Sequence, residues 1–531
     1  MSLRRALTLA AVLLLIPAVP ASAGPRGGDR PRGGDWPTWQ GDVRGSRHNG
    51  AERQITPATA GRLELKWAYA FPKTGAPVKS QPAVVGDTVY VGDNSLFFYA
   101  LDARTGARKW FFDTLTVNPA LGAGMVMDGP AVARGKVYFG DSRGYVYALD
   151  QETGRLRWAR DTDDHPAALH TSSPLYHDGL VYIGSSSGEN TAGADYPCCT
   201  FRGHIDALDA ETGALVWRYW TVPEPVRAGT WPSGAARYEP SGAGVWSSPV
   251  VDPVTDTLYV GTGQNYTGSA GDFDSLLALD ARTGAVRWKN QVTDADTWRS
   301  LCNEPDAEGY CPGLHDGTAL DYDIGATPNI FRAGGRTLVG VGQKSGVYHT
   351  FDAATGAVVW RRQLGVPLPS GGISGIQWGS SYDGRRLFIA TYFADPGTLF
   401  AVDPATGRVR WQTPNPADGC TTGGAAAYPG ICALAHTPAV TTTPGLVYEG
   451  STDGKMRIYS ARTGAVLWEY DTVREFAAVN GGTGFGSSIS GNGGAVVANG
   501  MLYVQAGYVP FYPSEHGPVL LAFGLPDRPS A

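Results

Sequence analysis

Several short stretches of this chain carry side chains suited to chemistry. Glu189 in SSSGEN offers a carboxylate, and Gln264 and Asn265 in GTGQNYTG offer side-chain amide oxygens. A carboxylate with amide oxygens is the hard donor set that a calcium ion takes. Asp321 and Asp323 in LDYDIGATP can each accept a proton, or can bond the N–H groups at a strand end. Lys344 in GQKSGV needs an anion if it is buried and is otherwise an exposed turn residue. Trp246 in GAGVWSSP presents a large planar face, Thr171 and Ser173 in HTSSP supply hydroxyls, and Gln377 and Trp378 in GIQWGS add an amide and a second indole. There is no Cys-x-x-Cys-His run, no Rossmann glycine fingerprint, no P-loop and no Cys/His zinc spacing, so covalent haem, nicotinamide, ATP and structural zinc are unsupported.

The elements that must position these residues come from a repeat. Seven segments share one pattern, among them ALDARTGARKW ending at Trp110, ALDAETGALVW at Trp217, ALDARTGAVRW at Trp288 and YSARTGAVLW at Trp468. LELKWAY, with Trp67, is an eighth and degenerate copy, and successive tryptophans lie 43 to 72 residues apart. Alternating apolar residues make a strand, Asp-x-x-Thr-Gly makes a turn, and the tryptophan ends the next strand. Further strands such as TVYVGD, LVYIGS and TLYVGTG precede the copies, giving four short strands per repeat, the composition of a propeller blade. The sequence therefore predicts an all-β, eight-bladed β-propeller. The strand around Trp67 should close it by pairing with the C-terminal strands AVVANGMLYVQAGY and VLLAF, because closure removes the free edges. Seven or nine blades would leave one of those ends unpaired. The repeated tryptophans read as packing between blades.

Arg4 and Arg5, the apolar run from Ala6 to Val19, and Ala21-Ser22-Ala23 form a signal-peptide pattern over 1–23, so the mature chain is expected to be exported. Residues 24–35 read as a flexible leader and 36–531 as a single propeller domain. A net charge of −6 and scattered basic residues argue against nucleic acid as a partner. No later stretch is long and apolar enough to span a membrane.

The repeat, the opening DWPTWQGD, and CCTFRG, PSGAGVWSSPVVD, LDYDIGATP, GQKSGV and VNGGTGFGSSI together resemble the pyrroloquinoline quinone (PQQ) dehydrogenases over nearly the whole mature chain, and most of all the polyvinyl alcohol dehydrogenase subgroup. The resemblance implies PQQ and Ca²⁺ as cofactors and oxidation of a secondary alcohol group, with electrons passing to an external acceptor such as a cytochrome c. It implies Glu189 and either Gln264 or Asn265 as calcium ligands, and Trp246 as the surface on which PQQ stacks. Thr171 and Ser173 would bind the quinone's carboxylates, Lys344 its ortho-quinone oxygens, and Gln377 and Trp378 would line the pocket. Asp321 would be the general base, with Asp323 as the alternative. Lys79 in VKSQP departs from the family, some of whose members carry Glu there. The spacing of the six cysteines suggests Cys302–Cys311 and Cys420–Cys432 as pairs. Adjacent Cys198 and Cys199 remain, and a vicinal disulfide in these dehydrogenases packs against the PQQ face. The competing expectation is a non-catalytic scaffold propeller, which keeps the turns and tryptophans but has no reason to gather acids, a lysine and an indole at the axial mouth.

Overall fold

The computed structural model describes residues 34–122, 124–305, 308–313, 319–368, 372, 374–392, 396–489, 491, 493–507 and 514–527. The expected signal peptide lies outside them. Gly34 and Asp35, expected in the leader, already bond to the ordered chain: Asp35 accepts the N–H of Gly86 at 3.0 Å, and the Gly34 carbonyl accepts the Asn49 amide at 3.0 Å.

Eight antiparallel sheets follow one another, each built as strands A to D from the axis outward. In the first blade they are Ala83–Val85, Thr88–Gly92, Phe97–Asp102 and Arg108–Asp113. In the fourth they are Val250–Asp252, Thr257–Gly261, Ser275–Asp280 and Val286–Gln291. The eighth joins Val496–Ala498, Met501–Ala506 and Val519–Gly524 to Glu64–Ala70 as its outermost strand, so the two chain ends close the ring as the degenerate repeat implied.

The period-2 alternation of each strand serves two interfaces. Leu258 and Val260 of the fourth blade pack toward Tyr182 and Ile205 of the third, whereas Tyr259 packs toward Ile330 and Val339 of the fifth. The tryptophans lock neighbours together. Each indole N–H donates to a backbone carbonyl of the next blade: Trp67 to Ala103, Trp110 to Gln151, Trp158 to Ala210, Trp217 to Ala281, Trp288 to Ala353, Trp360 to Pro404, Trp411 to Ala461, and Trp468 to Leu63. The turn that receives the indole is set by its own sequence. In the first blade Asp102 accepts from the Thr105 N–H and hydroxyl, and Gly106, at φ 72°, leaves room for Trp67, whose ring would lie 2.8 Å from an added Cβ.

The segment 36–49 threads beneath the axial mouth. In order it bonds the A strands of blades one, two, four, five, six, seven and eight, through Val84, Val132, Val251, Ile330, Tyr382, Thr442 and Val497. Those inner edges would otherwise present unpaired N–H groups to the axis. Arg47 is fixed in this plug by Trp39 and Val440 carbonyls, Gln81 and Thr441.

Candidate active site at the axial mouth

Connections from B to C and from D to the next A all leave one end of the ring, and every candidate cofactor, metal or catalytic residue lies on one of them. Strand register ranks the residues that precede the A strands. Ser80, Asp128, Ser172 and Ser247, three residues before the first A-strand residue, turn outward and accept the N–H of the last strand-B glycine of their own blade. By alternation, the residues on either side of them face the axis. One position nearer strand A is a ring linked from blade to blade: Gly129 N–H donates to Ser173 Oγ, Ser173 N–H to Ser248 Oγ, and Ser248 N–H to Thr327 Oγ1. One position further from strand A, nearer the mouth, the same register gives Lys79, Met127, Thr171, Trp246, Gly325, Gln377 and Thr437.

The Trp246 indole lies flat over Gly325, where an added Cβ would sit 1.8 Å from the ring. Trp378 meets its edge with centroids 5.2 Å apart, and Lys344 Nζ stands 5.3 Å from its centroid. Trp378 holds φ at 58°, a costly left-handed conformation for a bulky residue and one that clusters at functional sites.

Lys344 bridges the two acids of LDYDIGATP, 2.8 Å from Asp321 Oδ1 and 2.5 Å from Asp323 Oδ2, with all three buried. The other Asp321 oxygen accepts the Gly372 N–H at 2.5 Å. Burial pushes the Asp321 carboxyl up to about 8, with repulsion from Asp323 and Asp296 adding to it and Lys344 opposing it. Lys344 is itself held above the usual lysine value, because two carboxylates outweigh the cost of its burial, so it stays charged.

Asp274 and Asp296 join this group and were not anticipated from the sequence. Asp274 is fully buried against Asp296, and burial raises its carboxyl well above the usual range, with Asp296 adding to the shift. Asp296 accepts the Tyr322 N–H and is pushed up to about 6 by burial and Asp323. A signal for Asp274 did exist. It precedes strand C where five other blades have Gly144, Gly203, Gly346, Gly397 and Gly454, and it adopts φ 44°.

Gln264 and Asn265 part company. The Gln264 N–H bonds Asp323 at 2.5 Å, and its side-chain amide, turned to donate, reaches Asp323 Oδ2 at 3.1 Å. Asn265 spends its amide N–H groups on the Gly268 and Ala270 carbonyls of its own loop. Glu189 is buried on the neighbouring blade, accepting the N–H groups of Thr200 and Phe201, and Tyr266 ties the two loops together by donating to the Ser187 carbonyl. Thr171 Oγ1 is buried without a partner, whereas Ser173 is committed to the hydrogen-bonded ring nearer strand A. Gln377 bonds the Ser374 carbonyl.

All three expected disulfides are formed, Cys198–Cys199, Cys302–Cys311 and Cys420–Cys432. The vicinal pair does not open onto the mouth. Both cysteines are fully buried beside Glu189, among Phe201, Tyr266 and Trp231, and the Trp231 indole donates to the Cys198 carbonyl. Trp231 is carried there by a hairpin of Val226–Thr230 and Ala236–Glu239.

The donors fit a hard divalent cation. Glu189 and Gln264 offer hard oxygens there, and of the four buried acids Asp274, Asp296, Asp321 and Asp323, two, Asp321 and Asp323, contact the Lys344 ammonium, which leaves acidic groups for a further positive charge to offset. An anionic planar ring also fits the mouth, where Trp246 offers a face and Thr171 an unused hydroxyl.

Two family models match the chain. The glucose/ethanol/alcohol dehydrogenase β-propeller domain matches residues 163–300, and the outer membrane protein assembly factor BamB matches 52–228 and 343–507. Polyvinylalcohol dehydrogenase of Sphingopyxis sp. (strain 113P3) is 34% identical over 468 residues, 84% of this chain and 68% of that protein. Polyvinylalcohol dehydrogenase of a Pseudomonas species is 30% identical over 488 residues, 89% of this chain and 73% of that protein. Among solved structures, quinohemoprotein alcohol dehydrogenase ADHIIG of Pseudomonas putida superposes with a TM-score of 0.69 at 21% identity, covering 93% of this chain and 80% of that one.

Proposed function

This chain belongs to the PQQ-dependent alcohol dehydrogenases, and from that premise we propose that it oxidises secondary alcohol groups, polyvinyl alcohol or a related polyol among them, with Ca²⁺ beside the quinone. The substrate class follows the names of the two polyvinylalcohol dehydrogenases, to which the chain is similar along most of its length. The single observation that carries the assignment of roles is the Asp321–Lys344–Asp323 clamp beside the Trp246 indole.

PQQ, when bound with Ca²⁺, supplies an electrophilic carbonyl that takes up the hydride of the carbinol carbon. Trp246 provides the surface that orients the cofactor, and Gly325 lets the indole lie flat. Asp321 takes the hydroxyl proton of the alcohol. Each of its oxygens uses one lone pair on a donor, Lys344 or Gly372, and keeps another for that proton. Lys344 stays charged and places positive potential where negative charge develops on oxygen. Asp323 holds Lys344 and Gln264 in register instead of acting as the base, since its two oxygens are taken by Lys344 and by both the backbone and the side-chain N–H groups of Gln264. Glu189 and the Gln264 amide oxygen would hold the cation, and Thr171 a carboxylate of the cofactor. Cys198 and Cys199 back the Glu189 wall, and Asn265 and Ser173 brace the site.

Electrons would then leave to an acceptor outside the propeller, such as a cytochrome c, since residues 36–531 hold no Cys-x-x-Cys-His run. Three disulfides favour an exported location, and no helix among the described residues is long and apolar enough to cross a membrane. A scaffold role has no use for four buried carboxylates and a lysine at the mouth.

The test is reconstitution with PQQ and CaCl₂ followed by dye-linked oxidation of polyvinyl alcohol, 2-propanol and a primary alcohol. Turnover of the secondary substrates that needs both additions is expected. Stoichiometric PQQ binding with no alcohol oxidation would refute the proposal.

A further inference from the structure

Trp231 is buried for a reason its own hairpin does not supply. Every residue of the strand before it, Val226–Thr230, is exposed, and the return strand Ala236–Glu239 is only half-buried, yet the indole between them is 3% exposed. Side chains from another connection help to enclose it. The Arg299 guanidinium lies 4.9 Å from its ring, and Tyr310 of the Cys302–Cys311 loop stacks on it with centroids 6.3 Å apart. Arg237 of the return strand adds a second guanidinium at 5.0 Å.

So enclosed, the indole meets the loop that follows Glu189. Its N–H donates to the Cys198 carbonyl at 2.9 Å, which also accepts the Tyr238 N–H at 3.1 Å, while the Cys198 N–H donates to the Ala236 carbonyl at 3.0 Å. Three hydrogen bonds from one hairpin therefore fix the backbone of Cys198. Three residues on, the Phe201 carbonyl is held by the Gly242 N–H and the Ser241 hydroxyl. Between these anchors two N–H groups point at Glu189. Thr200 donates at 2.9 Å to Oε1 and 3.0 Å to Oε2, and Phe201 donates at 2.8 Å to Oε2. The Cys198–Cys199 disulfide ties the start of this short run, with its sulfurs within 4.8 Å of a Glu189 carboxylate oxygen. His165, 3.6 Å from Oε1, and the Tyr196 phenol also reach the carboxylate, and neither belongs to the hairpin.

We infer that Trp231 is a positioning residue for the cation site: by pinning Cys198 it aims the Thr200 and Phe201 N–H groups at Glu189, and these hold the carboxylate in one orientation for Ca²⁺. This rests on Glu189 being a ligand of that cation. N–H donors on an ionised carboxylate make charge-assisted hydrogen bonds, about twice as strong as neutral ones. A carboxylate has about four lone-pair positions, so donors can fix its direction and still leave capacity for a cation. Removing a group that orients a metal ligand in this way lowers metal affinity by about 10- to 100-fold.

The experiment measures bound calcium by equilibrium dialysis of the full chain, saturated with PQQ, against graded CaCl₂. Trp231→Phe keeps an aromatic ring and removes the indole N–H, and the double variant Cys198→Ser, Cys199→Ser opens the same clasp without touching the hairpin. Thermal unfolding reports the folding of each. Both should need about tenfold more calcium for half-saturation. In a Glu189→Gln background the two amides bond a neutral oxygen, so adding Trp231→Phe should cost only about threefold more. Wild-type calcium affinity in Trp231→Phe would overturn the inference while leaving the cation site intact; should that variant not fold, the cysteine variant decides by the same criterion. A tenfold loss of equal size in both backgrounds would also overturn it, because Trp231 would then act independently of Glu189. Wild type that takes up no calcium in the presence of PQQ would remove the cation reading and this inference with it.

Discussion

Replacing Gly325 by Ala tests whether Trp246 is the platform of the site. The added Cβ would lie 1.8 Å from the indole Cη2, with two further ring atoms at 2.0 and 2.4 Å. Ordinary carbon contact is about 3.5–4.0 Å, so the indole must retreat by roughly 1.5–2 Å or tilt. Its retreat is opposed by Trp378 at its edge and by Lys344. Overpacking of this kind costs about 1–3 kcal/mol of stability. A displacement of about 1 Å in a positioning group can cost roughly 10²-fold in turnover. Gly325→Ala should therefore lower the melting temperature by a few degrees, weaken PQQ binding at least tenfold by fluorescence titration, and lower dye-linked kcat more than that. The double variant Gly325→Ala, Trp246→Ala separates the causes. Removing the indole removes the clash, so stability should return toward that of Trp246→Ala alone while PQQ binding stays weak. If Gly325→Ala binds PQQ and turns over like wild type, the indole is not the surface that orients the cofactor.

Three further outcomes follow from the same geometry. Asp321→Asn keeps the shape and a carbonyl for Lys344, so PQQ binding should persist while kcat falls about 10²–10⁴-fold; normal turnover would move the base to Asp323. Glu189→Gln should raise the CaCl₂ concentration needed for half-maximal PQQ retention at least tenfold, measured by dialysis against graded calcium, and excess calcium should restore activity in part. Stability should fall as pH drops below about 6.5, because burial depresses His436 to about 4 and His204 and His349 to about 3. Below 6.5 the unfolded chain binds protons that the folded chain refuses, so acid favours unfolding, and His436 alone contributes a loss of about 3 kcal/mol by pH 4. Urea unfolding at pH 7 and pH 4.5 measures it, and equal midpoints would contradict the burial of these imidazoles as neutral bases.

The blades were legible because their signals are local and repeated. Asp-x-x-Thr-Gly forms its turn from its own side chains, and Trp67, Trp110 and their counterparts meet the same glycine and carbonyl in successive blades. Closure was legible because the Trp67 strand lacked a hairpin of its own. The path of 36–49 was not, since its partners are backbone edges that any sequence presents, on blades from one to eight. Trp246, Lys344, Asp321 and Asp323 were legible by resemblance and converge as expected. Asp274 was missed although it breaks the glycine pattern before strand C, and Asp296 was missed because no motif marks a buried acid whose partners come from another loop. The different surroundings of Gln264 and Asn265 were not legible, because the fold alone turns one amide to Asp323 and the N–H groups of the other into its own loop. Adjacency revealed the Cys198–Cys199 pair, yet not its cover, which depends on the Trp231 hairpin folding back over it.

The most direct test of the account is a crystal structure of the chain loaded with PQQ and Ca²⁺. The account predicts the tricycle lying on the Trp246 indole at the axial mouth, its quinone oxygens beside Lys344 and Asp321, and a cation held by Glu189 and Gln264. PQQ density away from Trp246, or at the mouth with its carboxylates toward Lys344, would contradict it.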